Sequence, residues 1–168
     1  MIPLPVALGG TGQLVAWTLQ DARHAATWDA GIGAATYGGR WNSIGRHVLY
    51  AAMDPATAIL EVAVHKGFKA LNTVAHTLHG FTITDPAAVH VLHPEDLPNP
   101  HWLHPIPPHA DQQAFGDALV DTHPFVLLPS AVSAHSWNLL VNVATARPLM
   151  AQRRSERFAL DPRLRAAG

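Results

Sequence analysis

Cysteine is absent from the 168 residues, which excludes disulfides, thiol nucleophiles and cysteine-based zinc sites and suits a cytoplasmic protein. Charge is scarce too, with eleven Lys and Arg against twelve Asp and Glu and a formal net charge of -1. Without a cationic excess there is no field to hold a nucleic-acid backbone, so direct DNA or RNA binding becomes a minor reading. No uninterrupted apolar run approaches the roughly 20 residues of a membrane span, and Met1 to Gly12 lacks the basic and apolar regions of a secretory leader. A soluble, unprocessed protein with no membrane partner is expected. Internal repeats and low-complexity tracts are also missing. Apolar residues, at 48%, are plentiful enough for one real core. Residues 1–168 are therefore expected to form a single domain, with an irregular arm over about residues 1–12.

Proline and glycine punctuate the chain. Leu14 to Leu19 reads as a first strand, Ala30 to Arg40 as a glycine-rich loop, and Arg46 to Ala52 as a buried strand rich in β-branched and aromatic residues. Asp54-Pro55 signals a helix start, because the aspartate can accept from first-turn amides while proline presets φ at the first helical position. The helix is expected over Pro55 to Lys66, ending at Gly67, with Ala58, Glu61 and His65 on one face and Leu60, Ala63 and Val64 toward the core. Thr73 to Thr84 and Val89 to Leu92 read as strands. Six prolines between Pro94 and Pro108 remove too many amide donors for regular structure, so a long surface loop follows. Asp111 to Asp121 reads as a second helix, Phe125 to Leu128 as a strand, Ser136 to Ala144 as ambiguous, and Arg157 to Leu160 as a last strand. The fold class is α/β, of mixed α+β kind, in one domain.

The chemistry concentrates between Gly38 and His65. Paired glycines before Arg40 permit a tight turn that can aim a guanidinium into a cleft, where its fork suits phosphate or carboxylate. Tyr50 offers an aromatic face with a polar tip, suited to stacking on a flat ring. Glu61 lies on an otherwise apolar helix, where a carboxylate must be paired, exposed or functional. Taken singly, each has a plainer reading: a structural ion pair for Arg40, a core tyrosine for Tyr50, and a solvated face with a His65 contact for Glu61. The combination favours a polar ligand site.

Twelve histidines raise the question of a metal, above all His76 with His79 and His101 with His104. Side chains at i and i+3 of a strand face opposite sides, and neither pair has a carboxylate or cysteine partner at a ligand spacing, so no metal is expected. Ser130, in Leu128-Pro129-Ser130-Ala131-Val132, is either a hydroxyl donor in a site or a turn residue. No Gly-x-Ser-x-Gly elbow surrounds it, which disfavours a hydrolase nucleophile.

The order Gly38-Gly39-Arg40-Trp41-Asn42, Val48-Leu49-Tyr50, Ala58 to Glu61, Val62 to His65, Phe115-Gly116-Asp117, Leu128 to Val132, Asn138 and Asn142, and Phe158 to Leu164 resembles the RES domain family. Agreement runs from about Leu14 to Leu164 in several dispersed blocks. The resemblance implies a fold similar to the ADP-ribosyltransferases of the diphtheria-toxin kind, and a toxin of a bacterial type II toxin–antitoxin pair acting in the cytoplasm. It implies NAD+ as substrate, with no metal, and cleavage of the nicotinamide–ribose bond by hydrolysis or phosphorolysis. Alternatives are transfer of ADP-ribose to a cellular protein and, in another class, a catalytically weakened antitoxin-binding protein. The implied partner is an Xre-like helical antitoxin that covers the active site. DNA is then engaged only indirectly, through the antitoxin, and the chain stands as a monomer or as a homodimer within a larger complex.

Carried onto this sequence, the resemblance makes Arg40, Glu61 and Ser130 the catalytic residues. Arg40, Trp41, Tyr50, Glu61, Ser130 and Asn138 would bind NAD+. Arg40 would hold the pyrophosphate and Tyr50 would stack on nicotinamide. Glu61 would bind ribose hydroxyls or stabilise the oxocarbenium-like cation, and Ser130 would hydrogen-bond ribose or the carboxamide. Two departures stand out. Trp17-Thr18 occupies the place of the family's usual aromatic–Arg pair, for which Arg23 or Arg46 could substitute, and Asn142-Val143-Ala144-Thr145 occupies that of Asn-Pro-x-His.

Overall fold

A computed structural model describes residues 13–104 and 106–164. The arm expected over residues 1–12 lies outside them. Strands β1 (Leu14–Asp21), β2 (Val48–Ala52), β3 (His76–Ile83), β4 (Val89–Val91), β5 (Phe125–Pro129), β6 (Trp137–Asn142) and β7 (Met150–Phe158) form one sheet of order β4-β5-β6-β2-β1-β3-β7. The β4–β5 pair is parallel and the other pairs are antiparallel. Helices α1 (Ile32–Tyr37), α2 (Pro55–Thr73), α3 (Ala110–Thr122) and α4 (Val143–Ala146) complete the mixed architecture expected from the sequence. Among the described residues no helix is long and apolar enough to cross a membrane.

Strand alternation divides the core. Leu49, Ala51, Leu139 and Val141 pack on one face with Ala16 and Phe81 of β1 and β3. Their sequence neighbours Val48 and Leu140 pack on the other face with Val126, Leu128 and Val120 of α3. The same parity carries Tyr50 and Asn138 to this second face. Leu19 and Leu78 face it too, and they cover Ala63 and Leu71 of α2.

Several boundaries depart from expectation for identifiable reasons. The Ala30–Arg40 stretch contains α1, bracketed by Gly31 (φ 63°) and Gly38 (φ 71°), so its glycines terminate a short helix. Asp54 caps α2 as expected, accepting from the Thr57 amide at 2.8 Å. The helix then resumes beyond a kink at Gly67 to reach Thr73. On α2, Val64 is exposed and Leu60 half-buried; Thr57, Ala58, Ala63 and Leu71 are buried, the last two in a cluster with Ile59 and Val62 partly buried beside them. The ambiguous Ser136–Ala144 region resolves into β6 and α4, with Asn142 capping α4 by accepting from the amides of Ala144 and Thr145. The last strand starts at Met150, well before Arg157. It is an edge strand of mostly exposed polar residues, so no apolar alternation marks it. Within the proline-rich loop Trp102 is buried and anchors short 3-10 turns to the core.

One pairing decides where a site can form. Strands β1 and β2 meet at a single position, Trp17 opposite Ala52. Beyond it, Thr18–Asp21 and Val48–Ala51 diverge, and the gap between them opens a cleft in the middle of the sheet.

Candidate active site

The cleft has a volume of about 670 Å³, and its wall includes the splayed ends of β1 and β2, the Gly38–Trp41 turn and one face of α2. Glu61 reaches it from α2, together with Ala58 and His65, the face expected from helical spacing. The Glu61 carboxylate is held from behind. Ser130 donates its hydroxyl proton to Oε1 at 2.9 Å, and Nδ2 of Asn138 donates to the same oxygen. The backbone amides of Val132 and Ser133 each donate to Ser130 Oγ at 3.2 Å, so the serine's lone pairs are engaged and its single proton is directed at Glu61. Oε2 of Glu61 has no protein partner among the described residues and remains the oxygen for a ligand.

Ser130 is only 3% exposed and is not part of the cleft wall. Its place is one layer behind the carboxylate, fixed by its own amide donating to Ser136 O at 2.9 Å. Asn138 does line the cleft, and its buried Oδ1 has no hydrogen-bond partner among the described residues.

Across the site, the turn bearing Arg40 is locked by its neighbours. Tyr50 accepts from the Trp41 amide at 3.0 Å and donates to Asn42 Oδ1 at 2.7 Å. Burial, the largest effect, pushes the Tyr50 phenol far above its ordinary value, and the Trp41 amide opposes this only in part, so the hydroxyl is a fixed donor. A Cβ on Gly39 would lie 2.4 Å from that hydroxyl, so only glycine fits there. From α3, Gln113 donates to Gly39 O at 2.8 Å, and Asp117 accepts from Ser43 Oγ at 2.5 Å. Tyr50 thus does two things: its hydroxyl shapes the turn while the residue also contributes to the cleft wall. Trp41, 3% exposed, sits edge-on to Trp102 with ring centroids 6.2 Å apart and reaches the cleft from within the core.

Arg40 lines the cleft and spends one nitrogen, Nη1, on the carbonyls of Trp102 (3.2 Å) and His104 (3.1 Å). No carboxylate among the described residues pairs with it, which leaves Nη2 and Nε for an anionic ligand. Neither arginine considered as a substitute for a first-strand arginine lines the cleft. Arg23 pairs with Asp21 at 2.7 Å, and Arg46 with Asp121. The Arg23 hydrogen bonds hold the Asp21 carboxyl far below the usual carboxylate range. Thr18 is buried in the cleft wall and accepts from Gln20 Nε2 at 3.1 Å. Sequence reasoning missed Lys66 and Trp28, which also line the cleft. Lys66 was detectable as a cation one residue before the helix-breaking Gly67, whereas nothing local marks Trp28.

Among the described residues no group of three or more His, Cys, Asp or Glu is disposed to hold a metal ion. His76 Nδ1 hydrogen-bonds Val74 O, and His79 Nδ1 hydrogen-bonds Ser155 Oγ, each at 2.7 Å.

Residues 15–161 match the RES domain family. The chain belongs to the RES domain family. A Toxin Res of Yersinia enterocolitica serotype O:8 / biotype 1B is 32% identical over 153 residues, covering 84% of this chain and 92% of the relative. The Prs ADP-ribosylating toxin of a Sphingobium species is 30% identical over 156 residues, covering 85% and 92%. A Toxin Res of Photorhabdus laumondii subsp. laumondii is 29% identical over 131 residues, covering 77% and 81%. The fold of this RES domain is shared with a chain of the M. tuberculosis MbcT–MbcA toxin–antitoxin complex, at a TM-score of 0.71 and 23% identity over 88% of this chain and 85% of that one.

Proposed function

We propose that this RES domain is the toxin of a toxin–antitoxin pair and that it consumes NAD+ by breaking the nicotinamide–ribose bond. The observation that carries the reading is the Glu61 arrangement: one carboxylate oxygen gripped by Ser130 and Asn138, the other open to a cleft that also holds Arg40. A cleft of about 670 Å³ is within the range that encloses small-molecule ligands.

Nicotinamide leaves its ribose as a neutral ring, so the leaving group needs no proton. The burden falls on the ribose, where positive charge grows at C1′ as the bond lengthens. Oε2 of Glu61 meets that charge directly or through a ribose hydroxyl, and its fixed position makes the stabilisation available without reorganisation. Nη2 and Nε of Arg40 take a pyrophosphate oxygen pair, anchoring the part of the substrate that does not react. Water attacking C1′ yields ADP-ribose, nicotinamide and a proton, and inorganic phosphate attacking instead yields the 1-phosphorylated sugar. Two relatives named as Toxin Res support the toxin role. The relative named as an ADP-ribosylating toxin supports a second reading, in which a protein side chain is the nucleophile.

The partner in this proposal is an Xre-like helical antitoxin. Ile32 and Tyr37 line the cleft and are 50% and 83% exposed, an apolar surface that a partner would cover. DNA is engaged only through that antitoxin, the setting is the cytoplasm, and self-association as a homodimer would occur within the larger complex.

Incubating the purified chain with NAD+, with and without phosphate and with lysate proteins, separates the outcomes by mass of the sugar product. Free ADP-ribose, its phosphate ester or labelled protein each identifies one acceptor. Glu61→Gln is expected to abolish all three, and NAD+ left intact by the wild type at high enzyme concentration overturns the proposal.

A further inference from the structure

Outside the Gly38–Tyr50 region the cleft wall carries Trp17, which lies against Gly80 and under the Arg154 guanidinium, and Trp28, which is backed by other rings. Its indole lies flat on His79, with ring centroids 4.8 Å apart and planes within 4°. Phe81 supports it obliquely at 6.0 Å. His79 is fully buried, and that burial pushes its ring below the ordinary histidine value, so the indole rests on a neutral ring. The next residue pins the backbone: Asp29, 6% exposed, accepts from Arg147 at 3.0 Å and from Arg153 at 2.6 Å. Ala30 O bonds the His47 ring at 2.8 Å. A half-buried indole is thus packed between fixed neighbours with part of its surface on the cleft. The catalytic reading uses none of these groups.

Register locates Trp28 relative to Glu61. Asn138, Ala52, Trp17 and Gly80 stand side by side across β6, β2, β1 and β3. Asn138 holds Glu61 at one end of this row, and His79, beside Gly80, holds Trp28 at the other. Three strand spacings separate the two ends, about 14 Å at roughly 4.8 Å each. They also lie on opposite faces, since Leu78 packs toward α2 whereas Phe81, two residues on from His79, packs away from it. A base attached directly to the ribose at Glu61 cannot span that distance. The second base of a dinucleotide can, because two riboses and a pyrophosphate intervene.

We infer that Trp28, backed by His79, is the stacking platform for the adenine ring of the dinucleotide. This rests on the NAD+ reading and adds a binding subsite to it. An indole already packed against another ring loses little freedom when a base stacks on it, and base–aromatic stacking is insensitive to hydrogen-bonding pattern.

Calorimetric titration of the Glu61→Gln protein with NAD+, and with nicotinamide mononucleotide, which lacks the adenylyl half, tests the assignment. Adding Trp28→Leu, which keeps apolar packing against His79 and Phe81, is expected to weaken NAD+ binding about tenfold and leave the mononucleotide unchanged. Trp28→Phe is expected to restore most of the affinity, which separates stacking from a folding defect. Equal NAD+ affinity in the Trp28→Leu protein overturns the assignment, and so does an equal loss for the mononucleotide. Absence of NAD+ binding in both the Glu61→Gln and the wild-type proteins rejects the NAD+ reading itself, a distinct outcome.

Discussion

Replacing Ser130 by alanine removes a hydroxyl that lies behind Glu61 and outside the cleft wall, and the consequence should nevertheless appear in turnover. The serine donates to Glu61 Oε1 at 2.9 Å from a position 3% exposed and outside the cleft wall. A hydrogen bond to a charged group contributes about 1.5–3 kcal/mol, and Asn138 keeps its own bond to the same oxygen. A loss of about 2 kcal/mol in holding Glu61 against the developing cation corresponds to a fall in kcat of roughly 30-fold. KM for NAD+ should stay near the wild-type value, because no substrate contact is lost. The amides of Val132 and Ser133 lose their acceptor at the same time. Leaving them unpaired costs about 1–3 kcal/mol, or several degrees in Tm. Nicotinamide release under steady-state conditions gives kcat and KM, and thermal unfolding gives the stability change. Combining Ser130→Ala with Asn138→Ala should be strongly non-additive, since both donors act on one oxygen. A Ser130→Ala enzyme with unchanged kcat, or with raised KM alone, would refute the positioning role.

Gly39→Ala drives a Cβ to within 2.4 Å of the Tyr50 hydroxyl and 2.6 Å of Asn42 Oδ1. Overpacking of this kind costs about 1–3 kcal/mol, and a lowered Tm with weakened NAD+ binding is expected. Tyr50→Phe leaves the Trp41 amide and Asn42 Oδ1 without their partner, and denaturant melts should register about 1–3 kcal/mol for each group that stays unpaired. Arg40→Lys retains charge but loses the fork, so KM is expected to rise about tenfold with a smaller change in kcat. Stability should decline on acidification in two stages. His79 and His90, both depressed chiefly by burial, contribute stability that is present above about pH 6.5 and is lost as pH falls through their lowered folded-state values. Asp21, depressed by Arg23, contributes stability that is present above about pH 4 and is lost only in stronger acid; Arg163 depresses the exposed Asp161 likewise, so Asp21→Asn should shrink that second stage in a pH series of melts.

Local signals in the sequence carried much of the site. Asp54-Pro55 opens α2 where an N-cap followed by proline should, and Glu61 and His65 share the cleft face because helical spacing leaves no other choice. Strand parity similarly sends Tyr50 and Asn138 to one face. What escaped depends on contacts distant in sequence. Arg40 bonds carbonyls 62 and 64 residues away, and Ser130 meets Glu61 across 69 residues. That the serine meets the Glu61 carboxylate from outside the cleft wall depends on the bend after β5, which no periodicity encodes. Strand β7 hid because an edge strand of exposed Arg, Ser and Glu has no buried face to mark it. Trp28 becomes part of the cleft only because β1 and β2 part after one pairing, and Asp29 is held by arginines more than a hundred residues later.

The central claim is that a carboxylate fixed through one oxygen uses the other to break the nicotinamide–ribose bond. Proton NMR of NAD+ mixed with the purified chain follows that bond directly. The expected result is steady appearance of free nicotinamide with the wild type and none with Glu61→Gln of matched Tm. Unchanged NAD+ resonances with folded wild type, or equal nicotinamide release by Glu61→Gln, would contradict the claim.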